Sequence, residues 1–203
     1  MGRKSLKEGQ QKKIIEAFYN IAIKEGIENT SFGKIAKELD MHPSLVVHYF
    51  SNKEEMLIGL IDFIITSYEQ IYQPENSTGN SLERLIKVLN NIFSRKWNSY
   101  IDDSIFYNCF ALIFRNPLIK SRFKEMHLLL REWLKKLIQD CVDQRLLVCS
   151  DPAHASDLIF VISDGAYYLL SMIDDPAEYV RHEEKYRVEA FRILGIDPSG
   201  KKN

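Results

Sequence analysis

Thr30-Ser31-Phe32-Gly33-Lys34-Ile35-Ala36-Lys37-Glu38-Leu39, then the turn Asp40-Met41-His42, then Pro43-Ser44-Leu45-Val46-Val47-His48-Tyr49-Phe50, decide how this chain folds. Thr30-Ser31 supplies side-chain oxygens for a helix N-cap, and Ile35, Ala36 and Leu39 recur at helical spacing on one face. Pro43 suits the first turn of a further helix because its missing N–H would have no intrahelical partner there. Two short helices joined by a three-to-four-residue turn form a geometry that can present the second helix to a DNA major groove.

Upstream, Glu8 to Glu25 reads as a helix with Ile14, Phe18, Ile21 and Ala22 on one face, stopped by Gly26. Downstream, Ser51-Asn52-Lys53-Glu54 has the spacing of a capping box, and a fourth helix is expected from there to about Tyr72. The polar stretch Gln73 to Ser81 is a loop. Five more helices are expected at about Ser81 to Tyr100, Asp102 to Arg115, Pro117 to Arg145, Pro152 to Ile173 and Pro176 to Leu194. Three of these starts pair a proline with a preceding cap: Asn116, Asp151 and Asp175. The expected fold is all-α, with about nine helices and no sheet. It divides into a helix-turn-helix domain at 1–50, linked through helix four at about 52–72, and a larger helical domain at 51–203.

Composition agrees with a folded, water-soluble chain: 203 residues, 45% hydrophobic and 27% charged. The net charge of −1 conceals an asymmetry. Residues 1–53 hold nine Lys or Arg against six Asp or Glu, a balance of +3, which leaves −4 for the remainder. A polyanion would therefore meet the N-terminal part first. Cys109, Cys141 and Cys149 match neither a zinc-ribbon pattern nor a redox pair and read as free thiols. No apolar run approaches the ~20 residues of a bilayer span, and Leu6 stands where myristoylation wants Ser or Thr. A cytoplasmic location without membrane attachment is the expectation. There is no Walker loop, no nucleophile elbow and no paired-histidine metal motif, so no catalytic residue, metal or cofactor is expected.

The stretch from Thr30 to Leu39, followed by Ser44-Leu45-Val46-Val47-His48-Tyr49-Phe50-Ser51-Asn52-Lys53-Glu54-Glu55-Met56-Leu57, resembles the DNA-binding domain of TetR-family regulators. The run His48-Tyr49-Phe50 followed by Lys53-Glu54-Glu55 carries most of that resemblance. Phe50 is expected to anchor the recognition helix in the core, with Tyr49 across the sugar-phosphate backbone and Lys53 placed for a phosphate at the start of helix four. His42, Pro43, Ser44, Val47 and His48 would face the groove. His48 would donate to a guanine acceptor or a phosphate, and Val47 would touch a thymine methyl. Thr30 and Ser31 would combine capping with a phosphate contact. Arg3, Lys4 and Lys7 form a basic tail that would reach phosphates or an adjacent minor groove, or as a disordered tail only add nonspecific attraction. Two positions depart from the family pattern: Val47, where an aromatic is usual, and Gly33, where a polar side chain is common.

The resemblance also implies an apolar effector cavity in the middle helices, for which Trp97, Phe106, Tyr107, Phe110, Phe114, Met126, His127, Leu130 and Trp133 are the candidates. His127 is either a satisfied buried histidine or a polar handle for the ligand. The segments Leu146 to Ala155 and Ile162 to Ala166 look like the C-terminal part of such regulators, where the last two long helices pair about a two-fold axis. Leu158, Ile162, Gly165 and Leu169 are the candidate interface residues, on a helix apolar on more than one side. The implied function is a homodimer that binds a palindromic operator in double-stranded DNA and releases it when a small apolar or amphipathic effector binds. An activator of the same fold is the alternative, with a helical enzyme or an interaction module further off.

Overall fold

The computed structural model describes residues 3–72, 79–95 and 99–197, with side chains from residue 6 onward. Among the described residues there are nine α-helices, one 3-10 turn and no strand. The all-α expectation is met. No helix among them is long and apolar enough to cross a membrane.

Helix α1 (Arg3–Glu25) starts five residues before the expected Glu8, so Arg3, Lys4 and Lys7 belong to its first turns and not to a free tail. Apolar periodicity could not reveal this, because those turns carry almost no apolar side chain. The helix stops at Gly26, whose φ of +88° suits glycine and whose N–H closes on the Ala22 carbonyl at 2.9 Å. Helix α2 (Phe32–Glu38) is capped by Ser31, which accepts from the Lys34 N–H at 3.3 Å. Helix α3 (Pro43–Tyr49) is capped by His42, with Pro43 in the first turn, and gives way to extended backbone at Phe50.

Helix α4 (Lys53–Tyr72) has its capping box one residue later than the sequence spacing suggests. Asn52 accepts from the Glu55 N–H at 2.9 Å, and the Glu55 carboxylate accepts from the Ser51 N–H at 2.8 Å. Glu54 is thereby free for another partner, the side-chain amide of Asn116. Helix α5 (Ser81–Ile92) opens on a full capping box between Asn80 and Glu83. It ends well before the expected Tyr100, because the N–H and hydroxyl of Ser94 both turn back to the Asn91 carbonyl, at 3.2 and 2.9 Å.

Helix α6 (Asp103–Ala111), capped by Asp102, tightens into a 3-10 turn at Leu112–Phe114 where one continuous helix to Arg115 was expected. Helices α7 (Pro117–Asp143), α8 (Pro152–Leu170) and α9 (Pro176–Ile193) start at the three prolines. Asn116, Asp151 and Asp175 each accept a backbone N–H at 2.9–3.0 Å. Helix α7 is followed by Arg145 at φ +57° and α9 by Gly195 at φ +65°.

The chain divides into two compact units, 1–67 with 100–125 and 68–99 with 126–203, so the boundary falls inside α4 and α7. In the first unit, Ile14, Phe18, Ile35, Val46, Leu60, Ile61 and Ile64 are wholly buried, and Ile105, Cys109 and Ile119 nearly so. Truncating any of the large ones to alanine would cost about 2–5 kcal/mol. In the second, Ile71, Leu85, Val88, Leu89, Leu134, Ile138, Ile159 and Phe191 are among the wholly buried apolar positions.

Candidate nucleic-acid interface and sensing residues

Helix α3 is two-sided over only seven residues. Val46 is fully buried and Phe50 is 5% exposed, while His42, Pro43, Ser44, Leu45, Val47 and His48 are all exposed. Apolar side chains on the inner face fix the helix to its unit, and the outer face is left for a partner. The candidates His42, Pro43, Ser44, Val47 and His48 are thus brought onto one surface. Leu45 joins them, 45% exposed like Val47. It was missed because an apolar residue on a short helix reads as core until the buried face is known.

His42 and Ser44 are tied together at the start of α3: Nδ1 of His42 lies 2.8 Å from Oγ of Ser44 and accepts from its N–H at 3.3 Å. The cap engages Nδ1 and leaves Nε2 as the remaining polar atom of this exposed ring. The His48 ring makes no hydrogen bond among the described residues and packs edge-on to Tyr49 at 5.2 Å. Tyr49 is half-buried, and its carbonyl accepts from Nε2 of Gln11 at 3.4 Å.

At the starts of α2 and α4, Thr30, Ser31 and Lys53 share an open cavity of about 240 Å³ with Phe18, Phe32 and Met56. Thr30 is 4% exposed and donates its hydroxyl to the Gly26 carbonyl at 3.0 Å, so Ser31 alone does the capping. Lys53 donates from Nζ to the Glu28 carbonyl at 3.0 Å, which holds the ammonium beside the turn that precedes α2. An ammonium has two further N–H donors for a phosphate. Lys34 is committed to Glu25 and the Asn29 carbonyl. Lys37, which sequence reasoning passed over, is exposed and makes no ion pair among the described residues.

Of the sensing candidates, Trp97 lies outside the described residues. Phe106, Tyr107, Phe110 and Phe114 belong to the first unit, and Met126, His127, Leu130 and Trp133 to the second. In the first, Phe106 and Phe110 each pack edge-on to Phe123 at 5.8 Å, and Tyr107 packs on Phe106 at 5.5 Å. Phe114, by contrast, is 79% exposed and touches Phe110 only edge-on at 6.1 Å. Cys109, beside this cluster, is buried, and burial pushes its thiol up to about 12.

In the second unit Met126 and Leu130 are buried, and Trp133 packs against Tyr72 at 6.0 Å. His127 packs on Phe160 at 5.3 Å, and the Arg131 guanidinium lies 4.8 Å from the same ring. Burial holds the His127 ring below its ordinary pKa, the Asp164 carboxylate partly offsetting this and Arg131 reinforcing it. Burial and the same carboxylate raise the Tyr72 phenol, so both groups are neutral hydrogen-bonding groups in apolar surroundings. Tyr72 and Asp164 escaped the sequence reading because the action of Asp164 on both Tyr72 and His127 is a tertiary fact.

Helix α8 buries Ala155, Ser156, Ile159, Phe160, Ser163, Ala166 and Leu170, and turns a second apolar face outward. Leu158, Val161 and Tyr168 on that face, and Met172 just beyond it, are 41–62% exposed. Ile162 and Leu169 are half-buried among them, and no atom lies within 4 Å of where a Cβ on Gly165 would sit.

Helices α1–α3, with an anchored inner face and an open outer one, define a helix-turn-helix protein of the DNA-binding regulator class. Residues 14–60 match the family described as bacterial regulatory proteins, tetR family, and residues 80–196 match the tetracyclin repressor-like C-terminal domain. The chain belongs to the TetR family of transcriptional regulators. It is similar in fold to a TetR regulator from Haloarcula marismortui, with a TM-score of 0.75 at 21% identity over 92% of this chain and 97% of that one. A TetR-family regulator from Cytophaga hutchinsonii gives 0.74 at 15% identity, covering 94% and 96%. A transcriptional regulator from Saccharomonospora viridis, solved in complex with choline, gives 0.69 at 13% identity, covering 90% and 96%. No curated protein matches the sequence significantly.

Proposed function

We propose that this regulator is a cytoplasmic homodimeric repressor whose two α3 helices bind the half-sites of a palindromic operator and which lets go when a small molecule binds the helical domain. The observation that carries the reading is the division of α3, with Val46 and Phe50 inward and His42, Ser44, Leu45, Val47 and His48 outward. Residues 1–50 are the reading head in this proposal and 51–203 the part that senses and pairs. Tyr49, Lys53 and Ser31 contact phosphates and fix the register, while the outer face of α3 reads bases.

The open face of α8, from Leu158 through Ile162 and Gly165 to Leu169, supports pairing, because an apolar stripe of this extent is rarely left to water. An isologous contact of two such helices with α9 would bring two reading heads together. The aromatic clusters around Phe123 and around Trp133, with the neutral His127 and Tyr72 as polar handles, support an apolar or amphipathic effector. The choline bound to the Saccharomonospora viridis regulator extends the compounds worth testing to small organic cations.

The test is selection of fragments from random genomic DNA by the full-length protein, followed by release of the selected duplex with a panel of apolar and cationic compounds. A compound that releases the duplex should also raise the melting temperature of the free protein, because it binds the native state. Selection without any releasing compound would leave a DNA-binding protein with no sensor function. No selection at all would overturn the proposal. A reporter placed behind the selected site separates repression from activation.

A further inference from the structure

The exposed face of α3 carries an unusual set of chemical groups for a helix that reads DNA. With about 100° per residue, Ser44 and His48 lie within roughly 40° of each other at the centre of the outer face, opposite Val46. Leu45 and Val47 flank them on either side, each 45% exposed. The helix Pro43–Tyr49 contains no Arg, Lys, Asn or Gln. The side chains that make bidentate hydrogen bonds to guanine or adenine are therefore missing from this helix. Ser44 is partly committed to the His42 ring at 2.8 Å, so His48 is the one reader of the face with a wholly uncommitted polar group.

What remains is aliphatic. In the major groove one base presents an apolar group, thymine with its 5-methyl, and it is the only feature that Leu and Val side chains can recognise by contact. Val46, between them, buries its side chain completely, so the helix could have been anchored without aliphatic residues on either outer flank.

We infer that Leu45 and Val47 are specificity-determining residues that read thymine methyl groups on either side of the base pair contacted by His48, so that each operator half-site carries thymines at its centre. This rests on the DNA-binding reading above. It assigns base preference chiefly to methyl contact, with hydrogen bonding left to His48, to Nε2 of His42 and to the phosphate contacts of the surrounding residues.

The experiment uses the full-length protein and a duplex pool with a randomised core. After selection, the winning duplex is resynthesised with deoxyuridine in place of thymidine, one position at a time, which removes the methyl group and leaves the base pairing intact. At two thymines per half-site the substitution should weaken binding by about fourfold for each methyl lost. Leu45→Ala should abolish the penalty at one of these positions and Val47→Ala at the other. Both side chains are 45% exposed, so each variant should keep the parent's helical content, which separates a lost methyl contact from a lost fold. Enrichment of a core whose affinity ignores deoxyuridine everywhere, or of a core without thymine, would overturn the inference while leaving DNA binding intact. Failure of the pool to enrich at all would instead overturn the DNA-binding reading.

Discussion

The phenolic oxygen of Tyr19 accepts a hydrogen bond from the backbone N–H of Asp102 at 2.8 Å, joining α1 to the capping residue of α6. The two are 83 residues apart in sequence and lie in the same compact unit. Tyr19 also packs on Phe63 of α4 at 5.3 Å, and burial raises its phenol above the ordinary value, so the hydroxyl stays neutral. A change at the start of α6 therefore has a direct mechanical link to the first helix of the proposed reading head. Tyr19→Phe keeps the ring and removes the acceptor. It should lower stability by about 1 kcal/mol. Operator affinity should stay within a few-fold, while the factor by which a releasing compound weakens operator binding should fall. Titrating operator with and without the compound in both proteins checks this, and an unchanged factor would remove Tyr19 from the coupling.

Gly33 sits in the first turn of α2 with nothing closer than Oγ of Ser31, 4.0 Å from where a Cβ would be. Nothing among the described residues demands glycine there. Gly33→Ala should raise stability by up to about 1 kcal/mol by restricting the unfolded chain and favouring the helix. If α2 lies along the phosphate backbone, the same methyl should weaken operator binding. A variant that is more stable and binds equally well would place Gly33 away from the DNA.

The fold was legible wherever a residue type carries a local geometric meaning. Pro117, Pro152 and Pro176, each behind an Asn or Asp, mark three helix starts correctly, because proline and side-chain capping act within one turn. The start of α1 and the end of α5 were not legible. The first lacks apolar periodicity, and the second depends on Ser94 winning the Asn91 carbonyl. The outer face of α3 was largely legible: His42, Pro43, Ser44, Val47 and His48 were expected there and are exposed, but Leu45 could be told from core only once Val46 was seen to fill that role. The partners of Lys53 and Asn116, at Glu28 and Glu54, lie 25 and 62 residues away and leave no local signal.

His127 makes a pH prediction whose sign follows from burial. Its folded-state pKa lies below the ordinary 6.5, so in acid the unfolded chain binds a proton that the folded chain resists. Above the unfolded value both states are neutral and the residue is silent. As pH falls below about 6.5 the protein loses stability, until the folded pKa is passed and the loss levels off. Melting curves between pH 8 and pH 5, on the order of one unit apart, should show the parent losing more stability than His127→Leu. Parallel curves would mean that the ring takes up its proton freely in the folded state.

A Cβ at Gly165 would meet no atom of the described residues within 4 Å outside its own stretch of helix, so Gly165→Arg has open space on the isolated chain. In an α8-to-α8 interface it would put a long cation on each side of the two-fold axis. Sedimentation should show monomers with a helical content like the parent's. A dimeric Gly165→Arg protein with full DNA affinity would move the interface to another surface.

The central claim is that α3, flanked by Tyr49 and Lys53, seats a dimer on double-stranded DNA. The salt dependence of operator affinity tests it most directly. Each phosphate neutralised contributes about −0.9 to the slope of log affinity against log salt, so two heads with several contacts apiece should give a slope steeper than about −4. Tyr49→Ala and Lys53→Ala should weaken binding to all sequences alike, and Lys53→Ala should flatten the slope by about two, one contact in each half-site. An affinity indifferent to salt, or a slope that neither variant's loss of contacts alters, would contradict the account.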